Sequence, residues 1–299
     1  MPTPTKYAKL ARPRLYDALA RPRLFHLIDQ LRSQHGVLWI ASPPGAGKTT
    51  LAASYLGAVQ APDIWCQVDQ GDNDPATLFF FLSEALRDAG HQPPALPPEV
   101  QGDAARIQRM FFRNLYAQLP AGAVIVLDNL HEFDWDNAGQ LMEFAFAEVP
   151  SGITVLALSR DAPPARLARM EMDGRLRVIG WNELRFDDGE ARQLAQLGGD
   201  AAPIEQEWLD RVDGWAAGVV MLRSLRRGPD QAAVQALEGR TALFRYFAGE
   251  ILERMPKPSQ RLLLLLSCLP GVSAEDAAAL TGDSAAAALL EQLYHKRLF

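Results

Sequence analysis

As far as Arg185 the chain alternates short β-branched or apolar runs with longer segments of helical spacing. The apolar runs fall at residues 37–41, 64–68, 124–127, 153–158 and 176–179. Between them, residues 77–89 repeat apolar positions every three to four residues behind Asp74, a cap, and Pro75, a first-turn proline. Residues 104–119 do the same behind Asp103, and residues 91–98, with four prolines, form a loop. Strand, helix and strand in this rhythm predict an α/β fold, a three-layer sheet that is mostly parallel.

After Phe186 the strand signal ends. Asp187 and Glu190 have the spacing of a capping box, opening a short helix that stops at Gly198-Gly199. Helical spacing continues at residues 203–212, 215–226, 231–237, 243–254, 259–269, 273–280 and 284–296. The last two segments are joined by Thr281-Gly282-Asp283, a helix–turn–helix spacing. The expected organisation is therefore an α/β domain over 1–186, an all-α domain over 187–240 and a partial winged-helix-like domain over 241–299. Leu298-Phe299 is an apolar ending, which predicts that the chain is a piece of a longer protein.

Composition narrows the function classes. Of 299 residues, 48% are hydrophobic and 22% charged, which excludes disorder as the main state. A formal charge of −6 excludes a nucleic-acid binder of the uniformly basic kind. Cys66 and Cys268 lie singly in apolar runs, without the spacing of a disulfide or zinc scaffold. No apolar stretch approaches the ~20 residues of a membrane span, so a cytoplasmic protein without a membrane partner is expected. Lysine occurs only at positions 6, 9, 48, 257 and 296, and arginine supplies every other basic side chain. A lysine kept at 48 therefore calls for a specific role.

Ser42-Pro43-Pro44-Gly45-Ala46-Gly47-Lys48-Thr49 supplies that role. It has the phosphate-loop spacing G-x4-G-K-[ST], with serine for the first glycine, between a predicted strand and a predicted helix. Glycines let successive backbone N–H groups turn towards a phosphate, and the helix start adds its positive dipole end. Lys48 would then place its ammonium between the β- and γ-phosphates, and Thr49 would ligate Mg²⁺. Asp128, following four apolar residues, has the position of the metal-side carboxylate. Arg160, after the run at 153–158, has the position of a residue that senses the γ-phosphate.

Several of these features coincide in one family. The chain resembles the MalT-like branch of the STAND class, signal-transduction ATPases with numerous domains. The resemblance is carried by Lys9-Leu10-x-Arg12-Pro13 and Arg21-Pro22-Arg23-Leu24, by the loop beginning at Ser42, and by Trp65-x-x-Val68-Asp69-x-x-Asp72-Asn73-Asp74. Leu158-Ser159-Arg160 and Gly214-Trp215-Ala216-Ala217-Gly218 complete it. It implies a P-loop ATPase sheet of the ASCE type, with ATP or ADP and Mg²⁺ as ligands. Arg21, Pro22, Pro44, Gly45, Ala46, Gly47, Lys48, Thr49 and Thr50 would contact the nucleotide, Thr49 and Asp128 the metal, and Lys48, Asp128 and Arg160 would act in catalysis. It also implies C-terminal sensor and effector domains as partners and ATP-dependent self-association. Two departures stand out. Asn129 occupies the place where the family often has a second acid, and an amide cannot act as general base, which leaves Glu132 and Asp134 as neighbours to consider. The family's wing histidine is expected beyond the point where this chain stops, so it is not assigned, and neither His131 nor His295 takes its role.

The reading that follows is a regulatory nucleotide switch with slow hydrolysis. A P-loop kinase would need an arginine-rich lid and an acceptor pocket, and an AAA-type motor an arginine finger in trans. Phe79-Phe80-Phe81 and Phe111-Phe112 are read as core packing, and Asp72 and Asp74 as turn and cap rather than metal ligands. From Thr241 onward six basic residues face six acidic ones, and the helix beginning at Ser284 starts with alanines. Those two facts predict no direct DNA binding by this fragment.

Overall fold

The apolar runs pair as one parallel sheet: β1 (Val37–Ala41), β2 (Asp63–Gln67), β3 (Val124–Asp128), β4 (Thr154–Ser159) and β5 (Leu176–Ile179). Its strand order is β2-β3-β4-β1-β5. The structure is a computed structural model describing residues 7–94, 103–197, 206–225 and 256–266, with isolated positions at 273, 278–279, 286, 288 and 290. The chain divides into two units, Met1–Ser42 with Gly47–Arg185, and Pro43–Ala46 with Phe186–Phe299.

In the first unit the inner strands β3 and β4 are buried at every position, as a sheet covered by helices on both faces requires. Edge strand β5 instead exposes Arg177. The helices are α1 (Pro22–Arg32), α2 (Lys48–Val59), α3 (Pro75–Asp88), α4 (Ala104–Ala117), α5 (Gly139–Ala147), α6 (Ala168–Met172) and α7 (Trp181–Leu184). The predicted caps form: the Thr77 N–H donates to Asp74 at 2.9 Å and the Arg106 N–H to Asp103 at 3.3 Å. Alternate residues of β1 go to opposite faces. Val37 and Trp39 join a core with residues of α3, α4 and α5, while α1 lies against β1 and α2 against β4. Phe79 stacks on Phe111 at 3.8 Å between ring centroids, Phe111 and Phe112 are fully buried and Phe79 and Phe81 pack against the core, as expected, but Phe80 is 46% exposed and does not.

One tie in this unit has no local signature. Lys9 donates to Asp69 at 2.8 Å and to both oxygens of Asp72, at 2.8 and 3.0 Å. The Asp72 side chain has no solvent exposure, and it also accepts the Asp69 N–H within the turn Gln70–Asn73. This turn and cap account for Asp69, Asp72 and Asp74 with main-chain and lysine donors and the Thr77 hydroxyl.

The second unit holds α8 (Asp188–Gln196), α9 (Gln206–Arg211), α10 (Ala216–Leu225) and α11 (Lys257–Leu266). The capping box is present in both directions: the Glu190 N–H donates to Asp187 at 2.8 Å, and the Asp187 N–H to Glu190 at 3.2 Å. Helix α8 packs on α9 and α10. The helices expected at 231–237 and 243–254 lie outside the described residues, as does nearly all of 273–280 and 284–296. Among the described residues no helix is long and apolar enough to cross a membrane.

Lys9→Ala leaves a fully buried carboxylate without its cation. It should cost about 3–5 kcal/mol of unfolding free energy, read from urea denaturation of the purified chain. A loss under about 1 kcal/mol would mean that the turn's own hydrogen bonds suffice for Asp72.

Candidate functional site

Because the strands are parallel, their C-terminal ends share one edge. β1 leaves the sheet there at Ala41, which pairs with Ser159 of β4, and the Ser42 N–H continues the ladder to the Ser159 carbonyl at 3.3 Å. From β1 the chain crosses to β2 and returns through β3 and β4, then passes to β5 on the other side of β1. The edge at β1 is thus a topological switch point, where parallel sheets open a crevice for ligands.

Gly47 has φ +87 and caps α2 without a side-chain acceptor. The first-turn amides of α2 accordingly face outward at a helix start, the arrangement that takes an anion. Lys48 turns back to donate to the Ser42 carbonyl at 2.5 Å, with Ser42 Oγ at 3.5 Å. Burial, then the nearby Arg160 guanidinium, lower the Lys48 ammonium to about 8. Arg160 therefore stands close enough to act on the same charge as Lys48, at the end of β4. The carboxylates of Asp128 and Asp161 act on Lys48 in the opposite sense, so charges of both signs gather at this strand edge.

Thr49 and Asp128, 79 positions apart, meet across this edge: Thr49 Oγ1 donates to Asp128 Oδ2 at 3.0 Å and lies 3.3 Å from Oδ1. Asp128 is 4% exposed, and burial pushes its carboxyl up despite hydrogen bonds from Thr49 and the Asn129 N–H. A hydroxyl and a carboxylate are hard oxygen donors, and a buried carboxylate held above its ordinary range gains by meeting a cation. The pair fits Mg²⁺ held through one carboxylate and a substrate phosphate. Among the described residues no three His, Cys, Asp or Glu side chains converge as a larger metal cluster.

The other expected site residues are placed as follows. Pro22 opens α1, and Arg21 is buried, donating to the carbonyls of Leu184 at 2.6 Å and Arg185 at 2.9 Å. Ala46 is buried, and Thr50 is exposed in the first turn of α2. Asn129 sits in the left-handed region at φ 64. Asp134 is occupied in a local turn, accepting the N–H groups of Asp136 and Asn137. Within the second unit, the Pro44 carbonyl accepts the Trp215 indole N–H at 3.0 Å and the Gly45 carbonyl accepts the Ala217 N–H at 3.0 Å. The sequence singles out the Gly214–Gly218 motif, but nothing in it predicts this attachment, 171 positions away.

Comparison with known proteins gives the same direction. Residues 248–299 match the MalT winged helix domain. The HTH-type transcriptional regulator MalT of Yersinia enterocolitica is 28% identical over 276 residues, covering 87% of this chain and 30% of that protein. MalT of Yersinia pestis is 27% identical over 274 residues, with the same two coverages. The chain resembles MalT-type transcriptional regulators. It spans 30% of the length of these relatives. Among solved structures, the Aeropyrum pernix ORC1 protein in complex with DNA aligns over 94% of this chain and 85% of that chain, with 12% identity and a TM-score of 0.47. At that score the fold rests on the sheet described above.

The winged-helix match corrects one expectation. A domain of a type that typically binds DNA lies within residues 248–299, which overturns the prediction of no direct DNA binding by this fragment. The error has a physical cause. A net charge of zero over a segment says nothing about how its charges divide between faces, and DNA is met by one face of a domain.

Asp128→Asn keeps an acceptor for Thr49 and removes a buried charge that burial disfavours. In the ligand-free chain it should hold or raise stability, by up to about 1 kcal/mol in thermal unfolding at pH 7. A fall of more than about 1 kcal/mol would show that the carboxylate serves the fold rather than a ligand.

Proposed function

We propose that this chain is the nucleotide-binding switch of a cytoplasmic transcription regulator, binding ATP or ADP with Mg²⁺ at the loop from Ser42 to Thr49. The observation that carries the reading is the meeting of Thr49 with Asp128 beside Lys48, at the edge where β1 and β3 both end. In this reading the amides of Gly45, Gly47 and the α2 start receive the phosphates, and Lys48 exchanges the Ser42 carbonyl for phosphate oxygens. Mg²⁺, when bound to Thr49 and Asp128, supplies charge neutralisation of the phosphates. Arg160 adds a charge that distinguishes ATP from ADP. The resemblance to MalT-type regulators supports a regulatory rather than a metabolic role.

Titration calorimetry with Mg-ATP tests the binding site. Lys48→Ala should weaken binding about 30-fold or more, as loss of a buried charge contact does. The wild type should also lose affinity above pH 8, because the free Lys48 ammonium titrates at about 8 and a bound phosphate raises it. Binding is then full below pH 8 and falls by up to about tenfold per pH unit above it, whereas the alanine variant lacks this dependence. Unchanged affinity in Lys48→Ala would remove the loop from the function.

Hydrolysis should be slow, because Asn129 is an amide and Asp134 is engaged in its own turn. Single-turnover measurements on the isolated chain should give a rate on the order of 10⁻⁴–10⁻² per second, as in P-loop switches lacking a supplied catalytic group. Steady turnover above about one per second would require a general base, with Glu132 the neighbouring acid to test first.

A further inference from the structure

The tip of the phosphate loop is held from the start of α10. Trp215, the residue before the helix, sends its indole N–H to the Pro44 carbonyl at 3.0 Å, and Ala217, in the first turn, sends its main-chain N–H to the Gly45 carbonyl at 3.0 Å. The approach is close. A Cβ added at Gly45 would stand 2.8 Å from Ala217 Cβ and 3.0 Å from the indole nitrogen, and Gly45 itself has φ +74. A Cβ at Gly218 would stand 2.9 Å from Trp215 Cε3 and from Val212 Cβ, so the second glycine of the motif makes room for the indole.

The two carbonyls belong to the peptide planes whose N–H groups are those of Gly45 and Ala46. The described residues contain no cis peptide, and in a trans peptide the C=O and N–H point in opposite directions. Donors from α10 that fix the carbonyls on one side thereby aim these two amides to the other. Pro43 and Pro44 have no N–H, so Gly45 and Ala46 are the first main-chain donors the loop can offer an anion. The Ala46 N–H otherwise makes a long turn contact of 3.4 Å with the Pro43 carbonyl.

We infer that Trp215 is a positioning residue for phosphate binding: its indole N–H, with the Ala217 amide, presets the loop so that the Gly45 and Ala46 N–H groups face the polyphosphate. The inference rests on the nucleotide reading of the loop and adds a determinant of affinity from the helical unit. Preset donors bind an anion better than donors that must first be ordered. Because the amides meet phosphate and not the base, the effect is the same for any ligand carrying the polyphosphate.

The test compares wild type, Trp215→Phe and Trp215→His by calorimetry with Mg-ATP and with inorganic tripolyphosphate, at pH 8. Phenylalanine removes the N–H and keeps a ring; neutral histidine carries an N–H at the matching ring position. Trp215→Phe should weaken both ligands by the same factor, about three- to tenfold for one hydrogen bond, and Trp215→His should recover most of it. A lower melting temperature with unchanged affinities would make the contact merely structural and overturn the inference. Loss of affinity for ATP alone would also overturn it, by placing the indole against the base. If Trp215→Phe fails to fold, Trp215→Leu, which also lacks the N–H, takes its place: a matching loss for both ligands that Trp215→His recovers supports the inference, and unchanged affinity overturns it. Wild type that binds neither ligand would sink the nucleotide reading with the inference, whereas binding that Trp215→Phe leaves unchanged sinks the inference alone.

Discussion

The hydrogen bond between Thr49 and Asp128 can form only because the sheet is parallel. Thr49 lies in the first turn of α2, after β1 and its loop, Asp128 ends β3, and β4 lies between those strands. In an antiparallel arrangement one of them would emerge at the opposite edge. With every strand running the same way, the phosphate loop, the buried carboxylate and Arg160 arrive at one edge, and the strand-order reversal at β1 opens that edge to a ligand. The fully apolar character of β3 and β4 follows from the same constraint, since a parallel sheet is covered on both faces.

Burial disfavours the charges carried at this edge. The Lys48 ammonium is lowered to about 8 by burial and by Arg160, and burial pushes the Asp128 carboxyl up. A fold selected for stability alone would keep neither group there. A polyphosphate with a divalent cation would satisfy both, the anion beside Lys48 and Arg160 and the cation beside Asp128. Elsewhere in the sheet unit a buried charge is met internally, as Lys9 meets Asp72. At Asp72 the burial of charge is answered by a salt bridge, and at Lys48 and Asp128 by hydrogen bonds, to the Ser42 carbonyl and from Thr49 and the Asn129 N–H.

Much of this was legible along the chain. Each strand lies within one residue of its apolar run, and Asp74, Asp103 and Asp187 cap the helices assigned to them. These features depend on spacing over a few residues, so a linear pattern contains them. Helices α1 and α5 were not predicted. The Arg21–Leu24 segment was notable for its arginines, and α5 is apolar around most of its surface, with Phe144, Ala145 and Phe146 all buried, which blurs the helical period. The DNA expectation failed for a related reason. A summed charge is a linear quantity, and the surface a winged helix presents is not.

By itself, the sequence determined the order of the five strands along the chain, the helix caps at Asp74, Asp103 and Asp187, and the glycines of the loop. Those are decided by backbone sterics and by periodicity, which act between near neighbours. Only the tertiary structure decided that Lys9 closes on Asp69 and Asp72, that Thr49 meets Asp128, and that Trp215 reaches the Pro44 carbonyl. Such partners lie from 60 to 171 positions apart. A donor in the chain is compatible with many acceptors, and the choice among them is made by the strand order and helix packing that bring one acceptor within reach while burial removes water as the alternative.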